Sequence, residues 1–324
     1  MTEIIGGKLE TNETTTRAMG GSELMAHRIL RDVDEGLLKR SHLVFSRVRE
    51  QTLTDDLKTY LLLHDLPNDP ESQHLKDPES RKRFSKLIFV SEWQKQQYQN
   101  YFGLAPSECK VMLNAIEPIE ISNKPCDGVV KLIYHTTPHR GLDILYGVFD
   151  FIHKNVVSNI HLDVYSSFGV YGWEERDKQF EPLFNLLNDH PAITYHGAKS
   201  NDEVREALKT SHIFAYPCTW PETSCLAAIE AMSAANIVVC PNFAALPETT
   251  AKLAMMFDFD EHKNILANAF ANKLVEAIRH VGSQSQEYIN DITFQKMYCD
   301  KTYNWFTRIR EWDNFLRSEL FPLT

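Results

Sequence analysis

Two glutamates with one helix between them carry the most specific chemistry in this chain. Glu222 and Glu230 stand eight positions apart in the segment 220–248, WPETSCLAAIEAMSAANIVVCPNFAALPE. The apolar run from 224 to 235 predicts a helix, with Thr223 and Ser224 placed to cap it. Backbone N–H groups near Ser224, Cys225 and Leu226 would then lack intrahelical partners at the positive end of the macrodipole, which suits an anion. Side chains on a helix lean toward its N-terminus, so Glu230 would reach back beside Glu222. Carboxylates accept hydrogen bonds and repel phosphate, so the pair suits sugar hydroxyls on either side of a diphosphate. A nucleotide sugar presents that order of groups.

The elements that must position these acids follow from the alternation of apolar runs. Runs at 43–48, 59–63, 86–90, 110–113, 131–134, 161–165, 193–195, 213–216 and 237–240 predict buried strands. Helical patterns fall between many of them, at 22–34, 92–102, 142–153, 202–210 and 224–235. Strand alternating with helix predicts an α/β protein with parallel sheets covered on both faces. The pattern breaks at 117–129, EPIEISNKPCDGV, which predicts a linker between two α/β halves. The expected division is 1–122, 123–300 and a helical segment 301–324 packing back on the first domain. Within 286–320, Trp305, Phe306, Ile309, Trp312 and Phe315 recur at helical spacing and predict a packing face.

Composition narrows the function classes. A chain of 324 residues suits two domains. A net charge of -10 argues against sequence-independent nucleic-acid binding, which needs a basic face. The six cysteines form no CxxC pair or zinc spacing and suggest reduced thiols in a cytoplasmic protein. No apolar run approaches the roughly 20 residues of a membrane span, so membrane contact would be peripheral. Asp55/Asp56 and Asp258/Asp260/Glu261 read as solvated loops, and no metal site is expected.

The 220–248 segment resembles the E-x7-E signature of retaining glycosyltransferases of the GT-B architecture, specifically glycosyltransferase family 4. Further matches occur in order: Gly20, Gly21, Ser22 and Glu23; His64 and Asp65 after a strand; LIFVSEWQKQQY from Leu87; Asn114 in LNAIEP; TTPHRGLDIL from Thr136; and the pair His196 and Gly197. Together they span most of the chain. The resemblance implies two Rossmann-like domains facing across a cleft, with donor bound mainly by the C-terminal domain and acceptor by the N-terminal one. It implies that Gly20 and Gly21 let backbone approach the donor, where a Cβ would obstruct. His64 would contact the donor sugar, and Arg140 would hold phosphate oxygens with its fork. Glu222 would take hydroxyls of the sugar and Glu230 the ribose. Family members carry a second basic residue before the position of Arg140, where this chain has Tyr134, His135, Thr136 and Thr137. His135, His139 or Lys199 are the candidates for that charge. The turn before Glu248 lacks the usual glycine, and Ala115 stands where a glycine usually follows Asn114.

The expected function is a retaining, metal-independent transfer of a hexose-like unit from a nucleoside diphosphate sugar, UDP favoured over GDP, to a hydroxyl of a glycan or small molecule. The catalytic set is His64, Arg140 and Glu222. The donor set is Gly20, Gly21, Arg140, Lys199, Glu222, Thr223, Ser224, Cys225, Leu226 and Glu230. The alternatives are a GT-B sugar-nucleotide epimerase or hydrolase, and a non-catalytic nucleotide-sugar binder. A NAD-dependent oxidoreductase would need a GxGxxG after a strand, which the chain lacks.

Overall fold

The structure, a computed structural model, describes residues 2–11, 21–49, 52–53, 56–121, 124 and 126–322. They form two compact units. The first takes in the N-terminal part to Ala115 together with Tyr303 onward, and the second runs from Ile116 to Thr302.

The first unit is built on strands β1 (Thr2–Ile5), β2 (Lys8–Thr11), β3 (Ser41–Phe45), β4 (Lys58–Leu63), β5 (Lys86–Phe89) and β6 (Cys109–Val111). Their order is β2-β1-β3-β4-β5-β6, and β3 to β6 run parallel. β1 pairs antiparallel with both β2 and β3, so this sheet is mixed and not wholly parallel as expected. The physical reason is the pair Gly6 and Gly7, with φ of 55° and 79°. Two consecutive left-handed residues form the tight hairpin turn that matches strand twist. The 92–102 helix forms over Glu92–Phe102, with Ser91 accepting from Gln94 N at its start and left-handed Gly103 ending it.

The second unit contains β7 (Val130–Tyr134), β8 (Ile160–Val164), β9 (Ile193–Tyr195), β10 (Ile213–Ala215), β11 (Ile237–Pro241) and β12 (Met255–Phe257). All pair in parallel, in the order β12-β11-β10-β7-β8-β9. The chain works outward from β7 in one direction and then returns to build outward from β10 in the other. This is the doubly wound Rossmann order, whose reversal lies between β7 and β10. Leu132 and Ile133 of β7 and Ile213 and Phe214 of β10 are fully buried. Each such side chain contributes roughly 1.5–3 kcal/mol through its burial.

Residues after Ala115 are anchored in the second unit. Ile119 N donates to Ser233 Oγ at 2.8 Å, and the buried Lys124 ammonium donates to the carbonyls of Leu208 and Ala234. At the other end, the helical run 286–320 is two helices, Gln286–Thr302 and Trp305–Leu320. Asn304 caps the second by accepting from Thr307 N at 2.8 Å. Trp305, Trp312 and Phe315 are buried, whereas Phe306 is 75% exposed and lies off the packing face on which it was expected. One residue is a 100° step around a helix, which turns Phe306 away from Trp305. Among the described residues, no helix is long and apolar enough to cross a membrane.

Candidate functional site

Ligands of doubly wound sheets bind outside the carboxyl ends of strands at the reversal of strand order. In the second unit, the loop after β7 carries Arg140 and the loop after β10 carries Glu222. The structure joins them: the Arg140 guanidinium donates to Glu222 Oε1, and Tyr216 Oη donates to the same oxygen. Burial pulls the Arg140 pKa down, but the Glu222 carboxylate more than reverses this and holds it well above its usual value. Burial keeps the Tyr216 hydroxyl protonated, far above its ordinary pKa, so it acts as a donor. Nε of Arg140 is buried with no hydrogen-bond partner among the described residues. The hydrogen-bonding capacity of that edge of its fork is therefore unspent within the protein.

Gly141 sets the spacing of these two loops. It has φ 103° and caps the Leu142–Asn155 helix, and the position of a Cβ there is filled by the carbonyl of Pro217. Thr219 Oγ1 donates to His139 O at 3.3 Å and ties the same loops again. The contact available only to glycine thus brings Arg140 against Glu222.

The helix after Glu222 begins later than expected. It spans Leu226–Ser233, and Cys225, not Thr223 or Ser224, is the residue before it. Cys225 is extended and makes no side-chain capping bond. Glu222 explains the delay: its carboxylate is tied to Arg140 and Tyr216, and its carbonyl accepts from Ala245 N at 3.1 Å. Held at both ends, the residue cannot enter the helix, so the free N–H groups of the first turn begin near Leu226, and Ser224 lies outside it.

Glu230 has a partner of its own in Arg205. Its Oε1 accepts from Arg205 Nη1 at 2.8 Å, while Arg205 Nη2 donates to Glu117 O at 2.7 Å. Burial raises the Glu230 pKa, and Arg205 opposes the rise. Of the candidates for a second cation, His135 is pushed by burial to a pKa of about 3, and His139 to about 4 by burial with Arg140 and Arg176 nearby. Both imidazoles are neutral at pH 7 and supply no charge. Lys199 lies 3.5 Å from Glu203. Arg176, whose charge reaches His139, stacks over Trp173 at 4.3 Å. In the turn before Glu248, which lacks the usual glycine, Ala244 is left-handed with φ 51°.

In the first unit, His64 follows β4 and its ring lies parallel to Phe45, 6.2 Å between centroids. Its apolar surroundings hold its pKa at about 4. Buried Gln94 fixes the backbone on both sides of it: Nε2 donates to Leu63 O at 3.1 Å and Asp65 O at 2.9 Å. Ser46, opposite His64 Nδ1 at 3.5 Å, adopts φ 62°, a strained conformation that commonly accompanies functional sites. His64 and Asn114 line one small cavity of about 20 Å³ with Met25 and Ile29. Gly21 opens the helix Gly21–Asp32, whereas Gly20 lies outside the described residues. Asp55 also lies outside them. Asp260 Oδ1 accepts from His262 N, and among the described residues no three His, Cys, Asp or Glu side chains converge as a metal-holding group.

The profile of the family described as glycosyl transferases group 1 matches residues 127–288, half of the chain. The chain belongs to the glycosyl transferases group 1 family. This group 1 glycosyltransferase is an enzyme of sugar transfer with the GT-B fold. A glycosyltransferase from Rickettsia africae ESF-5 superposes over 97% of this chain and 85% of its own, with a TM-score of 0.69 and 14% identity. WaaG, a glycosyltransferase involved in lipopolysaccharide biosynthesis, covers 82% of this chain and 79% of its own, with TM-score 0.58 and 13% identity. The pneumococcal O-GlcNAc transferase GtfA, solved with UDP and GlcNAc, covers 86% of this chain at TM-score 0.64 and 12% identity, and this chain spans 57% of its length. At such identities the likeness is one of fold. No curated protein matches the sequence.

Tyr216, Arg205, Gln94 and Arg176 are absent from the residue set expected of this glycosyltransferase. Tyr216 lay within the strand predicted at 213–216 and Gln94 within the resembling segment from Leu87, but their roles come from partners remote in the chain.

The depressed histidines predict a pH response. In the unfolded chain they titrate near 6.5, whereas folded His64, His135 and His139 stay neutral down to about 4, 3 and 4. As pH falls below 6.5 the unfolded state takes up protons that the folded state refuses, so stability is lost between about pH 6.5 and 4. The raised pKa values of Asp65 and Glu230 act in the opposite sense. With His42 and His190 also lowered by burial, five histidines against two carboxyls predict a net fall in Tm of roughly 3–8 °C between pH 6.5 and 4.5. Replacing His139 by Gln should make that slope shallower in a thermal melt series.

Proposed function

We propose that this glycosyltransferase is a retaining, family 4-like enzyme. It moves a hexose-like unit from a nucleoside diphosphate sugar, with UDP favoured, to a hydroxyl of a glycan or small molecule. The observation that carries the reading is the charged cluster at the strand-order reversal, where Arg140, with an unpartnered Nε, meets Glu222 beside the N-terminus of the Leu226–Ser233 helix. A diphosphate there would meet a guanidinium and helix N–H groups, so its growing negative charge on bond cleavage is stabilised without a metal. Glu222, released in part from Arg140, accepts from hydroxyls of the sugar. Glu230, oriented by Arg205, accepts from the ribose. Thr223, Ser224, Cys225 and Leu226 supply backbone around the phosphates, and Lys199 or Arg176 adds the second positive charge. His64 of the first unit is a neutral imidazole suited to a hydrogen bond with a sugar hydroxyl. The mechanism in this reading is front-face attack, the leaving phosphate accepting the proton of the attacking hydroxyl.

Two measurements test it. UDP, GDP and dTDP, each alone and as its sugar, are screened by thermal shift, where a ligand at 100 times its Kd stabilises by about 2.7 kcal/mol. UDP and a UDP-hexose are expected to raise Tm most. Failure of every nucleotide to do so would sink the proposal. Donor consumption is then followed with and without an acceptor panel. Consumption that needs acceptor supports transfer, consumption without it makes the protein a hydrolase or epimerase, and binding without consumption makes it a nucleotide-sugar binder.

A further inference from the structure

We infer that the second unit holds a separate subsite for an uncharged oligosaccharide, in the cavity beside the Arg140–Glu222 cluster. The inference rests on the sugar-transfer reading and extends it to the acceptor or product. The cavity has a volume of about 600 Å³ and lies among residues that follow the carboxyl ends of β7, β10, β11 and β12. That size falls within the roughly 300–1,000 Å³ typical of ligand pockets.

Its lining has the two chemistries that sugars require. Phe243 and Phe259 stack on each other at 3.8 Å and 6°, a rigid double platform from two different loops, and Phe180 stands in the same wall. His139, neutral at pH 7, lies parallel to Phe168 at 5.2 Å and meets the edge of Trp220 at 5.2 Å. Outside that lining, Trp220 and Trp173 are each 44% exposed. The C–H faces of a pyranose pack against such rings, while its hydroxyls need acceptors. Asp260 and Glu261 provide these at the cavity wall. The charge balance selects the ligand class. Three carboxylates, Asp143, Asp260 and Glu261, face one ammonium, Lys263, which is already paired with Asp143. The net negative wall disfavours a diphosphate, a sulfated glycan or an anionic lipid headgroup and leaves a neutral, hydroxyl-rich chain as occupant. Thr219 and His139 of the wall are near neighbours in sequence of Glu222 and Arg140, so a sugar bound here adjoins the charged cluster.

The test uses the full chain, with calorimetric titration of maltoheptaose, cellohexaose and chitohexaose as neutral probes and a heparin hexasaccharide as the anionic one. At least one neutral probe is expected to bind, with affinity reduced about tenfold in Phe243→Ala and in Glu261→Gln, and without competition from heparin. Glu261 is exposed, so its variant reports even where Phe243→Ala folds poorly. The UDP-induced thermal shift should be unchanged in Glu261→Gln. Absence of binding by all three neutral probes, binding unaffected by both variants, or displacement by heparin overturns the subsite. Loss of the UDP shift in the unaltered protein would instead overturn the transfer reading, independently of the oligosaccharide result.

Discussion

An Arg140→Ala variant is expected to lose its nucleotide-dependent thermal shift, to lose sugar transfer by at least ~10²-fold, and to melt well below the unaltered protein. The first two effects follow from the fork. Its Nη1 side is held by Glu222, and its Nε is buried without a partner among the described residues. A phosphate oxygen at Nε would complete the hydrogen bonds of a group that already carries its full charge, and alanine removes both. The third effect follows from what remains. Glu222 is 7% exposed at its side chain, and without Arg140 its carboxylate would keep, among the described residues, the Tyr216 hydroxyl as its donor. Breaking a buried pair by deleting one partner costs about 3–5 kcal/mol, because the other charge stays desolvated. A second substitution separates stability from chemistry. In Arg140→Ala/Glu222→Gln the buried charge is gone, so most of the lost Tm should return, while nucleotide binding and transfer should not. A single variant with unaltered nucleotide shift and turnover would remove Arg140 from the site. A double variant no more stable than the single one would remove the buried-charge account.

The pattern of residues made visible in the sequence is the pattern that local rules govern. Apolar runs located nine of the twelve strands found among the described residues, because a buried parallel strand is a compact apolar block whatever its neighbours. The strands it missed are ones that local composition disguises. Thr2–Ile5 and Lys8–Thr11 are four-residue strands with two and one strongly apolar residues, joined in a hairpin, and Met255–Phe257 is three residues long. The 226–233 helix illustrates the limit at a boundary. Thr223 and Ser224 are good capping residues, but the bond from Ala245 N to Glu222 O, formed across a gap in sequence, holds the chain out of helical geometry there.

The candidate site divides in the same way. Glu222, Glu230 and Arg140 are legible from spacing and type, since each lies at the end of a strand or in the helix that follows. Their partners are not. Arg140 and Glu222 are 82 residues apart, Arg205 and Glu230 are 25 apart, and Gln94 reaches Leu63 across 31. The sequence offers two acids and one base in isolation, and only the reversal of strand order between β7 and β10 turns them into a paired cluster. That pairing changes the chemistry expected of Arg140, from a free cation awaiting phosphate to one that must share its charge with a carboxylate.

The glycine that makes this pairing possible supplies the second large prediction. Gly141→Ala is expected to destabilise the second unit by about 3 kcal/mol, from ~1–2 kcal/mol for a side chain at left-handed φ and ~1–3 kcal/mol for overpacking. The backbone at φ 103° is one that L-residues rarely adopt, and a methyl group there would overlap the carbonyl of Pro217, which is backbone and cannot rotate away. Relief requires the β7 and β10 loops to part, which also draws Arg140 from Glu222. For a unit of this size the loss corresponds to a Tm lower by roughly 6–12 °C, with a weakened response to nucleotide. Gly147 provides the internal comparison. It lies in the same Leu142–Asn155 helix, and nothing among the described residues approaches within 4 Å of its Cβ position. Alanine there restores helix propensity and should leave Tm unchanged or raise it, by up to ~1 kcal/mol of stability. Melting both variants with and without UDP decides the matter. If Gly141→Ala and Gly147→Ala behave alike, the loop contact does not set the site. If the first alone loses both stability and nucleotide response, the spacing of the two loops is what holds Arg140 against Glu222.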